Sequence, residues 1–483
     1  MDNQTRPRAT RAARSFPTIA LTVLLAGCQS YQRAPVDLTA HAASVAARAS
    51  MAEPLHAFVD RLAASGFAAP DRFDPSDGLS PAEGEVLALV YNPDLRMARL
   101  DAGVALATFE TAGLWEDPRF GFDGAEILSS SGPFEYGLTA SLTLPVSGRL
   151  AVEKDRAGAA YEADLRRIAA AEWSLRAEIR SAWAQWASAH ERVGLLNEVA
   201  EQVDRITSIT DRLEQSGELT RVESRLILAE ALAVRTEQAA AQRSSSQARI
   251  RLLALMGLPP DSDVRLLAAY PSPEVPPEDD EVRRLIEANP EIAVYRAEYQ
   301  VAEESLRLEI RRQYPDITVG GGYGREGDDR LLLGVSVPIP LLNANRGGIA
   351  EARARRDRAR AAAETAFERL THQLASAHAE LDSIRLQRGS TESELMPMLE
   401  EQTREVERLA DLGEVNTLLL LETVRRGFEA RSQLLDLRAA EVAALSELAR
   451  ILGPDASQAP RSPEQTYETT TPSGGASAEE SAR

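Results

Sequence analysis

One plan is written twice in this chain of 483 residues. Asn92-Pro93 recurs as Asn289-Pro290, Pro118 as Pro315 and Arg149 as Arg346, each displaced by 197 positions. Gly217 and Gly257 recur as Gly413 and Gly453, displaced by 196. Five landmarks in one order at a near-constant spacing constrain the fold more than composition does. The chain must form two structurally similar halves, and a repeat this long is not a short-period solenoid. The proline- and acid-rich stretch from Tyr270 to Glu281 reads as the linker between them.

Each half reads as helix, strand, strand, long helix, turn, helix. In the stretch Phe134–Val146, FEYGLTASLTLPV, the apolar residues Phe134, Tyr136, Leu138, Ala140, Leu142, Leu144 and Val146 alternate with small or polar ones. That period of two marks a strand with two unlike faces. Its partner is expected over 119–128, after Pro118, with a turn at 129–133. In the second half strands are expected over 316–323 and 331–339, joined by a loop at 324–330.

The helices that follow are long. No proline interrupts Ser147–Ser216, a run that spans about 105 Å as a helix. Ile179, Ala182, Trp186, Ala189, Val193, Leu196, Ala200 and Val203 step by three and four, a coiled-coil seam. Past Gly217, Leu219, Val222, Leu226, Ala229, Ala233, Thr236 and Ala240 repeat the step. A second line, Trp183, Ile206, Ile209 and Leu213, predicts another neighbour, and two seams per helix suit a closed ring. The second half repeats this over 349–412 and 414–452, with Pro397 expected to bend its long helix.

The ends carry signals of another kind. Arg6, Arg8, Arg11 and Arg14 precede a short apolar run that ends Leu25-Ala26-Gly27-Cys28. The run is too short to span a bilayer and suits a secretory signal. Its ending resembles a bacterial lipobox, which makes Cys28 a lipidation site. Cys28 is the only cysteine, so no intrachain disulfide forms. Gln29 rather than Asp follows it, which favours the outer membrane. The net charge of −20 argues against a nucleic-acid partner. The chain thus divides into a signal peptide (1–27), an N-terminal anchor and linker segment (28–79), a first repeat (80–269), a linker (270–281), a second repeat (282–453) and a disordered tail (454–483).

Four strands in two hairpins cannot close a barrel alone, and an open edge in lipid strands backbone groups at several kcal/mol each. Strands of about 9–11 residues with one apolar and one small, polar face fit a membrane barrel. Two chains would supply 8 strands, three 12. The Asn-Pro pairs, the strand ends Leu144-Pro145 and Val337-Pro338, and the glycine turns within 213–224 and 409–423 resemble the TolC-like outer-membrane efflux proteins over roughly 80–453. The resemblance implies a mainly α fold with a membrane β-barrel: a homotrimer with a 12-stranded barrel and a long periplasmic helical barrel. It also implies a periplasmic adaptor and an inner-membrane pump as partners. The first turn, GELTRVE, resembles the heavy-metal-efflux branch.

No enzymatic chemistry or cofactor is expected. Gly322–Gly327 matches G-x-G-x-x-G, but Asp328, Asp329 and a strand follow where a dinucleotide site needs a helix, so it reads as a hairpin loop. His372 and His378 stand about 240° apart round a helix and do not converge on a metal. With no Walker-type loop, the energy source lies in a partner. The functional candidates are the two turns farthest from the strands. Asp411, Glu414, Asp211 and Glu218 are candidates for the tunnel mouth, and Leu219, Val222, Val415 and Leu418 for adaptor docking. The expected function is a passive duct in the outer membrane, lipid-anchored, with a large periplasmic portion. The alternative is a non-conducting structural periplasmic coiled-coil lipoprotein, which leaves the two-faced strands unexplained.

Overall fold

The computed structural model describes residues 31–48, 55, 58–59, 74, 77–126, 134–273, 280–411 and 417–454. One unit ends at Ala47, and its described helix α1 (Leu38–Ala47) is capped by Asp37, with Ala40 N–H donating to Asp37 Oδ1 at 2.9 Å.

The second unit begins at Arg48. Its first half runs α2 (Pro81–Tyr91), α3 (Pro93–Thr111), β1 (Arg119–Ala125), β2 (Glu135–Leu144), α4 (Arg149–Ser216) and α5 (Arg221–Leu255). Its second half runs α6 (Glu281–Glu287), α7 (Pro290–Arg311), β3 (Ile317–Glu326), β4 (Asp328–Ser336), α8 (Arg346–Ser390), a π turn (Thr391–Leu395), α9 (Met396–Asp411) and α10 (Thr417–Leu452).

Two of the duplicated landmarks, the Asn-Pro pair and the last glycine, prove to be parts of one clasp in each half. Asn92 Oδ1 accepts from the N–H groups of Asp94 (3.0 Å) and Leu95 (3.1 Å), and its amide donates to the Leu255 carbonyl at 3.0 Å. Asn289 Oδ1 accepts from Ile292 N–H at 2.8 Å, and its amide donates to the Ile451 carbonyl at 2.7 Å. Each Asn therefore caps one helix while satisfying the last turn of another. The following proline sits where the helix needs no N–H. Gly257 and Gly453 end the return helices at φ 66° and 76°, and a Cβ there would stand 2.2 Å from the Tyr91 carbonyl and 2.3 Å from the Ala288 carbonyl. Only glycine fits so close an approach in that conformation.

Around each clasp lies a core. In the first half Val86, Leu87, Ile179, Trp183, Leu252 and Met256 pack together, with Trp183 Nε1 donating to the Leu267 carbonyl at 3.0 Å. In the second, Leu285, Ile292, Leu370, Leu374, Leu448 and Ile451 do the same. Trp173 Nε1 donates to the Ala449 carbonyl at 3.1 Å and ties the halves together.

α4 is one helix of 68 residues, about 100 Å long. Its seam is seated as expected: Ile179, Ala182, Trp186, Leu196 and Val203 are buried. On α5 the buried positions are Ser224, Ile227, Ala231, Val234, Ala241, Ser245, Leu252 and Leu253. The expected line of Val222, Leu226, Ala229, Ala233, Thr236 and Ala240 lies on the opposite side and is exposed. Both lines step by three and four, so spacing alone did not say which one faces α4. Of the second line on α4, Trp183 and Ile206 are buried and Ile209 and Leu213 half-buried. Val203 of the first seam, with Val199 beside it, packs with Ala231 and Val234 of α5 and with Leu421, Val424 and Phe428 of α10.

Pro397 acts one turn ahead of itself. It has no N–H for the Ser393 carbonyl and its ring would crowd that group. The π turn over 391–395 widens the helix there, with Met396 N–H reaching back to Thr391 O. Hydroxyls re-satisfy carbonyls nearby: Thr391 Oγ1 donates to Gln387 O at 2.9 Å and Ser393 Oγ to Gly389 O at 2.6 Å.

Candidate transmembrane sheet and tunnel tip

The four strands form one antiparallel sheet in the order β1-β2-β3-β4, so the two hairpins pair with each other through β2 and β3. The register carries the two-faced character of β2 across the whole sheet. Leu138 stands opposite Phe122 and Tyr323, Leu142 opposite Val319, and Leu144 opposite Ile317. Tyr323 in turn faces Leu331, and Val319 faces Val335. The reverse face carries Asp123, Thr139, Ser141, Thr143, Thr318, Arg330 and several glycines, with Leu332 its one large apolar residue among the described positions. Thr143 and Thr318 hydroxyls meet at 3.3 Å on that face.

The apolar face is bare in the single chain. Phe120 is 79 % exposed and Leu333 86 %, and an apolar surface of this extent marks an interaction or membrane face. On the polar face a Cβ on Gly320 would come within 3.2 Å of Ser141 Cβ, and one on Gly322 within 3.3 Å of Thr139 Cγ2. Glycine at these positions makes room for the side chains of the adjacent strand. β1 and β4 have no strand partner on their outer edges among the described residues. Among those residues no helix is long and apolar enough to cross a membrane.

The second hairpin differs from expectation. The stretch 324–330, expected as a loop, is almost all strand. Pairing continues to Glu326 opposite Asp328 around Gly327 at φ 79°, flanked by Arg325–Asp329 (3.0 Å) and Glu326–Arg330 (2.9 Å) ion pairs. Gly327 makes the turn, but Gly324, read as part of the loop, serves close strand approach instead: a Cβ there would lie 2.5 Å from the Tyr136 carbonyl. The G-x-G-x-x-G match falls in β3 and this reversal, and no helix starts there. β4 ends at Ser336, short of the expected 339. β1 ends at Ala125, and residues 127–133 lie outside the described set.

Where the sheet meets the helices, Arg149 Nε donates to Asp316 Oδ2 at 2.7 Å and Ser147 N–H to Asp316 Oδ1 at 3.1 Å. Arg149 also reaches Glu116 at 2.7 Å. Burial pushes the Asp316 carboxyl up, but the hydrogen bonds from Arg149 and Ser147 outweigh it and hold the group below its ordinary value.

At the far end α4 closes on Gly217 at φ 81°, and Glu218 and Leu219 N–H groups both bond to the Leu213 carbonyl (2.9 and 3.1 Å). Thr220 then starts α5 through a reciprocal capping box with Glu223. Hydrogen bonds from the Thr220 side chain and N–H hold the Glu223 carboxyl below its usual range. This turn brings Asp211, Glu218, Leu219 and Val222 together: both acids are exposed, Leu219 is half-buried and Val222 exposed. At the second turn Asp411 ends α9 and Leu418, exposed, lies in the first turn of α10. Glu414 and Val415 lie outside the described residues, as does Cys28.

No group of three or more His, Cys, Asp or Glu residues converges for a metal among the described residues. His378 pairs with Glu281 at 2.8 Å, and His190 stacks on Trp186 at 5.4 Å. Trp183 and Trp186 meet edge-on at 6.0 Å and are core residues. What the sequence reading missed is the joint role of each Asn and Gly. The signal was present, since the two recur at matched offsets.

The comparisons agree with this geometry. The profile of the outer membrane efflux protein family matches residues 86–258 and again 282–454. The cobalt-zinc-cadmium resistance protein CzcC of Cupriavidus metallidurans is 25 % identical over 326 residues, covering 65 % of this chain and 77 % of that protein. The nickel-cobalt-cadmium resistance protein NccC of Alcaligenes xylosoxydans xylosoxydans is 25 % identical over 312 residues, covering 62 % of this chain and 65 % of that protein. The open state of the Neisseria gonorrhoeae MtrE outer membrane channel superimposes with a TM-score of 0.66 at 20 % identity, covering 80 % of this chain and 93 % of that one. The chain belongs to the outer membrane efflux protein family, and is an outer-membrane efflux channel protein with a large periplasmic helical portion.

Proposed function

We infer that three copies of the chain close one barrel and one helical tunnel, a passive duct in a tripartite efflux system. The observation that carries this is the four-stranded sheet: one largely apolar face, one polar face and two outer edges without a strand partner among the described residues. Closure between copies is the only way to satisfy those edges in lipid. Two copies would make an eight-stranded barrel, whose interior side chains fill. Three leave an aqueous path. The exposed line on α5 then lies against a neighbouring copy and completes the helical ring.

A periplasmic adaptor docks on the turn grooves at Leu219, Val222, Val415 and Leu418, and an inner-membrane pump supplies the energy. The acids Asp211, Glu218, Asp411 and Glu414, tripled at the tip, concentrate negative potential at the mouth and favour cations. The names of CzcC and NccC point to cobalt, zinc, cadmium or nickel ions as the cargo. Lipidation of Cys28 adds an anchor to the barrel.

Deleting the chain in its host and measuring growth in graded zinc, cobalt, cadmium and nickel tests the reading. Sensitivity to at least one of these ions is expected, restored by the wild-type chain. Unchanged metal tolerance alongside new sensitivity to organic compounds would overturn the cargo assignment. For the tip, Glu414→Ala with Asp411→Ala should lower cation selectivity in bilayer recordings while the trimer still forms. Unchanged selectivity would make these acids ordinary helix-end residues.

A further inference from the structure

The apolar face does not stop where the sheet stops. On β4 it is carried by Leu331, Leu333 and Val335, and pairing ends at Ser336. Exposed apolar residues continue outside the sheet through Val337, Ile339 and Leu341, with a tight turn in which Leu341 N–H donates to the Ile339 carbonyl at 2.9 Å. Ile339 is 73 % and Leu341 81 % exposed, and Leu342 beside them is 97 % exposed. α8 then begins at Arg346. The equivalent junction after β2 is shorter, passing from Leu144 to Arg149 with Val146 as its one large exposed apolar residue.

At the other edge of the sheet, Trp115 is 60 % exposed a few residues ahead of β1. The register sets Arg119 level with Ser141, Gly320 and Gly334, so Trp115 falls at the height of the unpaired β4 extension. Tryptophan prefers the boundary between hydrocarbon and headgroups. Just beyond stand Arg346 and Arg353, one heptad apart on α8. Both are exposed, and neither has an acidic partner within salt-bridge distance among the described residues. Their neighbours Arg355 and Arg356 are paired, with Glu351 and Asp357.

The geometry points to an interfacial collar, in which Ile339, Leu341 and Leu342 enter the periplasmic leaflet beside Trp115 while Arg346 and Arg353 bind phosphates of anionic lipid headgroups. It rests on the sheet being a lipid-facing barrel wall. The occupant is lipid because the segment follows directly from that wall and is as exposed as it is, and because Arg346 and Arg353 on α8 carry no acidic partner among the described residues. Arginine stems reach toward headgroups from such a position, and one basic residue at a membrane surface confers about a fivefold preference for anionic lipid.

The test uses the full chain with Cys28→Ser, assembled and reconstituted in phosphatidylcholine vesicles. Single cysteines at Leu342→Cys and, as a reference, Leu333→Cys carry an environment-sensitive fluorophore. Doxyl-labelled lipids quench them from shallow or deep positions in the acyl chain. The collar predicts that Leu342→Cys is quenched mainly by the shallow label and Leu333→Cys more by the deep one. Doxyl-phosphatidylglycerol should quench Leu342→Cys at least about fivefold more effectively than doxyl-phosphatidylcholine, and Arg346→Gln with Arg353→Gln should bring that ratio to about one. If Leu333→Cys is quenched and Leu342→Cys is not, a neighbouring subunit or partner covers the segment and the collar is wrong. Quenching of Leu342→Cys with no anionic preference refutes the arginine role. If neither position is quenched, the lipid-facing wall itself fails, and the collar with it.

Discussion

Leu142 and Thr143 are neighbours in β2 that the sheet assigns to opposite media. Leu142 sits on the apolar face opposite Val319, and Thr143 on the polar face opposite Thr318. At about 2.5 Å of depth per residue for a strand tilted near 40°, Leu142 lies about 15 Å from Tyr136 and about 10 Å from Val146. That puts it near the middle of an apolar band about 25 Å tall. Arginine at such a depth costs about 2–4 kcal/mol, hence about 6–12 kcal/mol over three copies. Leu142→Arg should therefore strip the protein from the outer-membrane fraction and abolish the heat-modifiable trimer band on semi-native gels. Thr143→Arg should leave both intact and reduce unitary conductance, since its guanidinium projects from the polar face into the proposed lumen. The reasoning is refuted if Thr143→Arg disrupts assembly while Leu142→Arg does not.

Three further outcomes follow from the structure. Asn289→Ala removes a helix cap, about 1 kcal/mol, and leaves the buried Ile451 carbonyl unpaired, about 1–3 kcal/mol. The thermal midpoint by circular dichroism should fall, and Asn289→Ser should recover part of the loss by restoring the cap alone. Asp316 is held below the ordinary carboxylate value by Arg149 and Ser147, so its contribution is complete above the unfolded carboxylate pKa, near 4, and is lost as pH falls through the depressed folded value. Wild-type protein should lose stability over that acid window, and Asp316→Asn should be less stable at neutral pH but show a shallower acid dependence. Cys28→Ser should abolish incorporation of labelled palmitate, and a wild-type chain that takes up no label would refute lipidation.

The duplication, the strand-strand-helix order and the helix seam on α4 were legible because each rests on local periodicity or a repeated landmark. Two readings failed for a shared reason: a residue type serves more than one end. Glycine marks turns, but Gly324, expected in the loop, is a strand position crowded by β2, and that crowding appears only once the hairpins pair. α5 carries two apolar or small-residue lines of the same period, Ile227–Ala231–Val234 inward and Leu226–Ala229–Ala233 outward. Period identifies a line, and only tertiary packing says which line meets the same chain. The Asn-to-carbonyl clasps were visible as recurring residues, but the bond partner lies at the far end of the repeat, where no local pattern can point to it.

Planar bilayer recording from the purified, assembled full-length protein tests the central claim most directly. A duct built from three such sheets predicts discrete, uniform conductance steps that are cation-selective and are altered by Thr143→Arg. Protein that inserts into the bilayer as a trimer yet gives no unitary steps, either as wild type or with Asp411 and Glu414 replaced by alanine, would contradict it and leave a non-conducting helical scaffold.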